Sequence, residues 1–271
     1  MEEYVKRAAP VPVQRIIEKL DEYQARRDFE GAERHLKYWL EEARFSGDER
    51  GELAVRNEFI GLYRKNGRKE EAFSSVEEAV ALVGRLGFEG TTSAGTTYTN
   101  AATAYYTFGE YTTSLFWFEK ALNVYESNKN TSPVLLGGLY NNMGLACTAL
   151  KLYDRAYTLY KKALAVMEQV PEGKPERAIT YLNIADALEA QKGLETAEGE
   201  ICGLLDRAEE LLDEVWADME SKSEAEKGYF AFVCSSCAPT FSHFGYFMTA
   251  AELKRKAEEF YSGNSTGTDP D

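Results

Sequence analysis

The feature that most constrains this chain is a small residue returning at an almost fixed interval. Ala32, Ala72, Ser114, Ala156 and Ala197 follow one another at spacings of 40, 42, 42 and 41 residues, and Ala250 makes a sixth after 53. A small side chain lets two helices approach closely, so one recurring at a near-constant period marks stacked helical hairpins. The stretch from Tyr140 to Ala163, YNNMGLACTALKLYDRAYTLYKKA, shows the unit most clearly. Gly144, Ala156 and Ala163 fall where helices must touch, and Tyr140, Tyr153, Tyr157 and Tyr160 fill the space between them.

Apolar positions in each unit recur at helical rather than strand spacing. The fold class expected is all-α, a right-handed superhelical solenoid of about six antiparallel hairpins. Their approximate bounds are 13–45, 48–86, 92–128, 133–170, 175–220 and 224–261. Residues 1–12 read as a leader whose Pro10 and Pro12 delay the first helix. Residues 13–261 read as one continuous domain, and the small, polar stretch 262–271 as a disordered tail. Asp48 suits a helix N-cap, Gly67 the left-handed position that ends a helix, and Pro133 and Pro175 the first helical turn. Pro239 lies inside a helical pattern, where it removes a hydrogen bond and is expected to kink or end the helix.

The pattern of an aromatic, a small residue, then Ala, a bulky residue and Ala resembles the tetratricopeptide repeat (TPR). Here Tyr140, Met143-Gly144, Cys147, Ala156, Tyr160 and Ala163 hold those places. The interval exceeds the usual length of about 34 residues, which makes the chain similar to kinesin light chain repeats and to the peptide-sensing TPR regulators of Gram-positive bacteria. The resemblance covers roughly residues 13–261 and concerns the fold.

The net charge of −14 disfavours a phosphate backbone as partner, because carboxylates repel it. No apolar run approaches the roughly 18–20 residues of a membrane span, and the N-terminus lacks the apolar core of a signal peptide. Four cysteines without framework spacing fit a reducing compartment, so a cytoplasmic location is expected. Cys234 and Cys237 form a lone CxxC on two packing positions; zinc needs two further ligands, and His35 and His243 are isolated in sequence. No phosphate-binding glycine loop is present. The chain is therefore expected to be non-enzymatic, without cofactor or metal.

The informative polar signal is asparagine. Asn100, Asn142 and Asn183 each stand two residues before a small position of a first helix, at spacings of 42 and 41. Such a ladder lies along one side of the stack, and each carboxamide offers the donor and acceptor that a peptide unit needs. The TPR resemblance implies that first helices line the concave face and that Asn at this place holds a peptide backbone. Asn57 sits one place earlier, alongside Asn141, while Glu58 and Ser236 take the ladder place in repeats two and six. Thr99, Thr103 and Tyr106, then Asn141, Leu145 and Thr148, and an acidic end at Asp186 and Glu189 complete the groove expected over repeats three to five. The carboxylate clamp of chaperone-binding TPRs needs Lys and Arg at set places on the first helices, and that activity is not expected of repeats three to five.

The expected partner is a protein tail or extended peptide with a basic residue near that acidic end, and neither nucleic acid nor membrane. One alternative is a signalling-peptide sensor acting through another chain, since only about twelve residues precede the first hairpin. The other is a scaffold that self-associates through the apolar sixth hairpin.

Overall fold

The computed structural model describes residues 9–263, and all regular structure among them is helical. The chain divides into two compact units, one ending at Thr131 and the other beginning at Ser132. The first holds α1 (Val13–Ala25), α2 (Phe29–Ser46), α3 (Glu49–Lys65), α4 (Lys69–Leu86), α5 (Thr92–Thr107) and α6 (Tyr111–Ser127). The second holds α7 (Pro133–Ala149), α8 (Tyr153–Met167), α9 (Lys174–Lys192), α10 (Leu194–Ala217), α11 (Glu224–His243) and α12 (Phe247–Gly263), with a 3-10 turn at Met219–Ser221. Residues 1–8 of the expected leader and 264–271 of the expected tail lie outside the described residues.

Each consecutive pair is an antiparallel hairpin, and five of the six turns are made the same way. The second residue after the first helix is left-handed: Arg27, Gly67, Gly109, Lys151 and Gly245 all have φ between 55° and 85°. The next amide then reaches back to a carbonyl five residues earlier, as Asp28 does to Tyr23, Arg68 to Tyr63, Glu110 to Tyr105, Leu152 to Cys147 and Tyr246 to Phe241. This arrangement satisfies the orphan carbonyls at a helix end. Glycine takes the conformation without a Cβ penalty, whereas Arg27 and Lys151 adopt it against one. The fifth hairpin differs: Gly193 has φ 80° and ψ 153°, and a single bond from its amide to the Glu189 carbonyl closes the helix.

All six recurring small residues are buried, at 0 to 3 % exposure. Between them the glycines make room for rings. A Cβ on Gly144 would lie 2.4 Å from the Tyr160 ring, and one on Gly95 would lie 2.2 Å from that of Tyr125. The close approach at Gly144 is thus one of helix backbone to tyrosine ring. The core of the first unit is built on Ile16, Leu20, Leu36, Phe59 and Leu62, and that of the second on Leu182, Ile201, Leu205, Phe230 and Phe241. The described end of the leader is tied down: Val11 is buried, and its amide donates to Asp48 Oδ2 at 2.9 Å.

Of the two outcomes expected at Pro239, an end to the helix does not occur: α11 runs through it to His243. Pro239 and Ser235 both lie on the exposed side of the helix, where the carbonyl that loses its partner meets water.

Candidate functional site

First helices pack on first helices within each unit, α3 on α5 and α7 on α9. Their shared faces carry the asparagines. In the first unit Asn57 Nδ2 donates to the Leu53 carbonyl and to Thr97 Oγ1, both at 3.0 Å. Its Oδ1 accepts from Asn100 Nδ2, also at 3.0 Å. In the second unit Asn183 Nδ2 donates to Asn141 Oδ1 at the same distance. The helix period places an asparagine of one repeat diagonally across from its neighbour in the next, so the two carboxamides meet head to tail.

This changes the reading of the ladder. Asn100, Asn142 and Asn183 are half-buried, and Asn100 and Asn183 each spend an N–H on a neighbouring asparagine. Asn141, expected to line the groove, is only 6 % exposed and accepts from Asn183. It is a bracket for the ladder and not an open contact. The threonines likewise spend their protons locally. Thr99 donates to the Gly95 carbonyl, Thr103 to that of Thr99, and Thr148 to that of Gly144. Tyr106 is half-buried against the Tyr111 ring, 5.4 Å away between centroids, and Leu145 is half-buried.

At the far end of α9, Asp186 and Glu189 are joined by a residue that sequence spacing left isolated. His243, from the end of α11, has its Nε2 2.8 Å from Glu189 Oε2. Burial pushes the Asp186 carboxyl up to about 6; the nearby His243 opposes that shift and Glu189 adds to it. The acidic end therefore carries its own cationic partner whenever His243 is protonated.

The α3–α5 face also holds a cavity of ≈ 430 Å³ that the asparagine pattern alone does not reveal. Arg50, Asn57, Glu58, Phe88, Thr96 and Asn100 line it. Arg50 shares a helix face with Asn57, seven residues on, which is a legible signal; Phe88 enters from the loop after α4, which is not.

Cys234 and Cys237 lie in the core of the second unit, and burial pushes both thiols up to about 12. They are protonated, packed and poor nucleophiles. Among the described residues no group of three or more His, Cys, Asp or Glu side chains is placed to hold a metal ion. Nor is any described helix long and apolar enough to cross a membrane.

Paired helices with small contact residues, left-handed turns and first helices packed on first helices define a helical-repeat protein. Residues 135–199 match the tetratricopeptide repeat family model, and the described residues have a TPR-like all-helical fold. The apo form of RapI is similar in structure, with a TM-score of 0.60 and 17% identity over 94% of this chain and 85% of RapI. BtubC (BKLC) from P. vanneervenii gives a TM-score of 0.49 at 17% identity, covering 96% of this chain and 95% of that one. Kinesin light chain TPR-like repeats from Podosopora anserina give 0.48 at 18% identity, covering 80% and 97%. No curated protein matches the sequence.

Proposed function

We propose that this chain is a non-enzymatic scaffold that binds an extended peptide, or the tail of a partner protein, on the faces of its first helices. The observation that carries this is the state of the asparagines. Asn100 and Asn183 are held by neighbouring carboxamides, yet each keeps a carbonyl oxygen and a second N–H. A carboxamide fixed in orientation, with one donor and one acceptor left, matches a peptide unit and loses little entropy on binding. Backbone recognition of this kind gives affinity without requiring one side-chain sequence. On α9, Asp186 and Glu189 favour a basic residue in the ligand, which then competes with His243.

The experiment is capture of a binding partner by the purified chain, followed by affinity measurement for wild type and for the triple variant Asn100→Ala, Asn142→Ala, Asn183→Ala. Each lost contact costs about 0.5–1.5 kcal/mol, so the folded variant is expected to bind roughly a hundredfold more weakly. Equal affinities place the binding surface elsewhere.

Self-association through the sixth hairpin has its own support in exposed apolar side chains. Phe232, Phe247 and Met248 are 57 %, 68 % and 85 % exposed. A solution mass of one chain at micromolar concentration rules this second reading out.

A further inference from the structure

Several charged side chains around this face are paired: Glu33 with Lys37 and Arg68, Arg56 with Glu52 and Glu78, Lys69 with Glu110. Arg50 and Glu58 are not. Arg50 has no carboxylate within ion-pair distance among the described residues, and its guanidinium lies 5.7 Å from the centre of the Phe88 ring. Glu58 is half-buried and takes no cation directly. Both line the same cavity, with Asn57 and Asn100 beside Glu58.

The two charges stand eight residues apart on α3, which at a rise of about 1.5 Å per residue separates them by roughly 12 Å along the helix. An extended chain covers that distance in about three to four residues. Both N–H groups of Asn57 are engaged, and the Asn100 carboxamide, held at 3.0 Å by Asn57 Oδ1, lines the cavity near its Glu58 end. The cavity thus has a cationic end backed by an aromatic ring, and an anionic end with an oriented carboxamide beside it. Its own charges lie too far apart to neutralise one another.

We infer that the α3–α5 cavity is a dipolar subsite for a short extended peptide. It takes a carboxylate on Arg50 and a Lys or Arg side chain on Glu58, three to four residues away, with a peptide unit on Asn100. This rests on the peptide-scaffold reading and gives the ligand class for one part of it. The guanidinium supplies charge-assisted donors to the carboxylate, and the Phe88 ring 5.7 Å away favours the cation. Burial and the nearby Asp21 push the Glu58 carboxyl up while Lys65 opposes them, so an arriving ammonium relieves an unfavourable charge. Neither end offers much to a ligand of one sign alone, because the other end then stays uncompensated.

The test uses the full chain and pools of synthetic tetrapeptides with lysine first and three mixed positions following, N-acetylated, with either a free or an amidated C-terminus. A third pool has glutamate in the last position and an amidated end, which separates a terminal carboxylate from a side-chain one. Affinity selection with mass-spectrometric readout is expected to retain free-carboxylate or glutamate-ended members and to discard the amidated lysine pool. Retained peptides are expected to bind Arg50→Glu and Glu58→Gln at least tenfold more weakly, at a melting temperature no lower than that of wild type. Arg50 is exposed at the start of a helix, where glutamate is tolerated, so that variant keeps the fold. Equal retention of amidated and free pools, or equal affinity for Arg50→Glu and wild type, overturns the inference. If Asn100→Ala weakens binding while the two charge variants do not, the scaffold reading stands and the dipolar subsite fails. If no pool is retained by wild type, the subsite fails, and the scaffold reading is then judged on partner capture alone.

Discussion

The two units present the same asparagine pair in different settings. Asn57 and Asn100 meet at the rim of an open cavity whose ends carry opposite, unpaired charges. Asn141 and Asn183 meet with Asn141 buried, and the acidic residues farther along α9 are already held by His243 from the last hairpin. One hydrogen-bond device therefore serves two ends. In the first unit it orients a carboxamide beside charges without an ion-pair partner, and in the second the acidic residues farther along the helix have a histidine partner within the unit. The repeat supplies the bracket, and what flanks the bracket decides how much is left for a ligand.

The largest effects test whether both units rest on the same packing. Gly95→Leu drives a side chain into the Tyr125 ring and Gly144→Leu into that of Tyr160. Each is expected to destabilise by about 1–3 kcal/mol or more, read by chemical denaturation. An unchanged midpoint for either removes that glycine from the packing of its hairpin.

Next come the brackets. Asn57→Ala removes three hydrogen bonds and leaves Asn100 without its holder, for a loss of about 1–3 kcal/mol. Asn141→Ala removes one described bond and should cost about 0.5–1.5 kcal/mol. The reverse order would mean that the buried pair, not the cavity pair, is the stiffer device.

A pH series separates the units without altering their packing. The Asp186 carboxyl titrates at about 6 in the fold against an ordinary 3.8. Between those values the unfolded chain has released a proton that the folded chain still holds, so this group's contribution is present at low pH and lost as pH rises through about 6. Asp186→Asn is expected to melt at a higher temperature than wild type at pH 7.5, with the difference vanishing near pH 4. A difference that is constant with pH shows that Asp186 is ionised throughout.

The smallest effect compares one position across the units. Ser114 stands where Ala156 stands in the second unit, and its buried hydroxyl has no hydrogen-bond partner among the described residues. Ser114→Ala is expected to stabilise by about 1 kcal/mol, measured as a rise in melting temperature. A loss of stability would mean that the hydroxyl is satisfied by water.

Much of the fold was legible because it is local. Gly67 and Gly109 announce their turns through the conformation glycine alone takes at no cost, and Pro133 marks the start of α7. Lys151 and Arg27 make the same turn with no such residue, and only the register of the neighbouring repeats points to them. Pro239 does not end α11, because the cost of a proline depends on which side of the helix faces water. The candidate site was legible in part. The ladder positions were visible as a period, but a period gives the side of a helix, not what a carboxamide touches there.

The sequence by itself determined the number of hairpins, their length and the small residues at which they meet, since these follow from a helical repeat and a turn encoded within about 40 residues. The tertiary structure alone decided the pairing of Asn57 with Asn100 and of Asn141 with Asn183, the cavity between Arg50 and Glu58, and the contact of His243 with Glu189. Each joins or flanks groups on different hairpins. Whether they meet depends on the offset and rotation of one hairpin on the next, and that is set by the fit of all the packed side chains together.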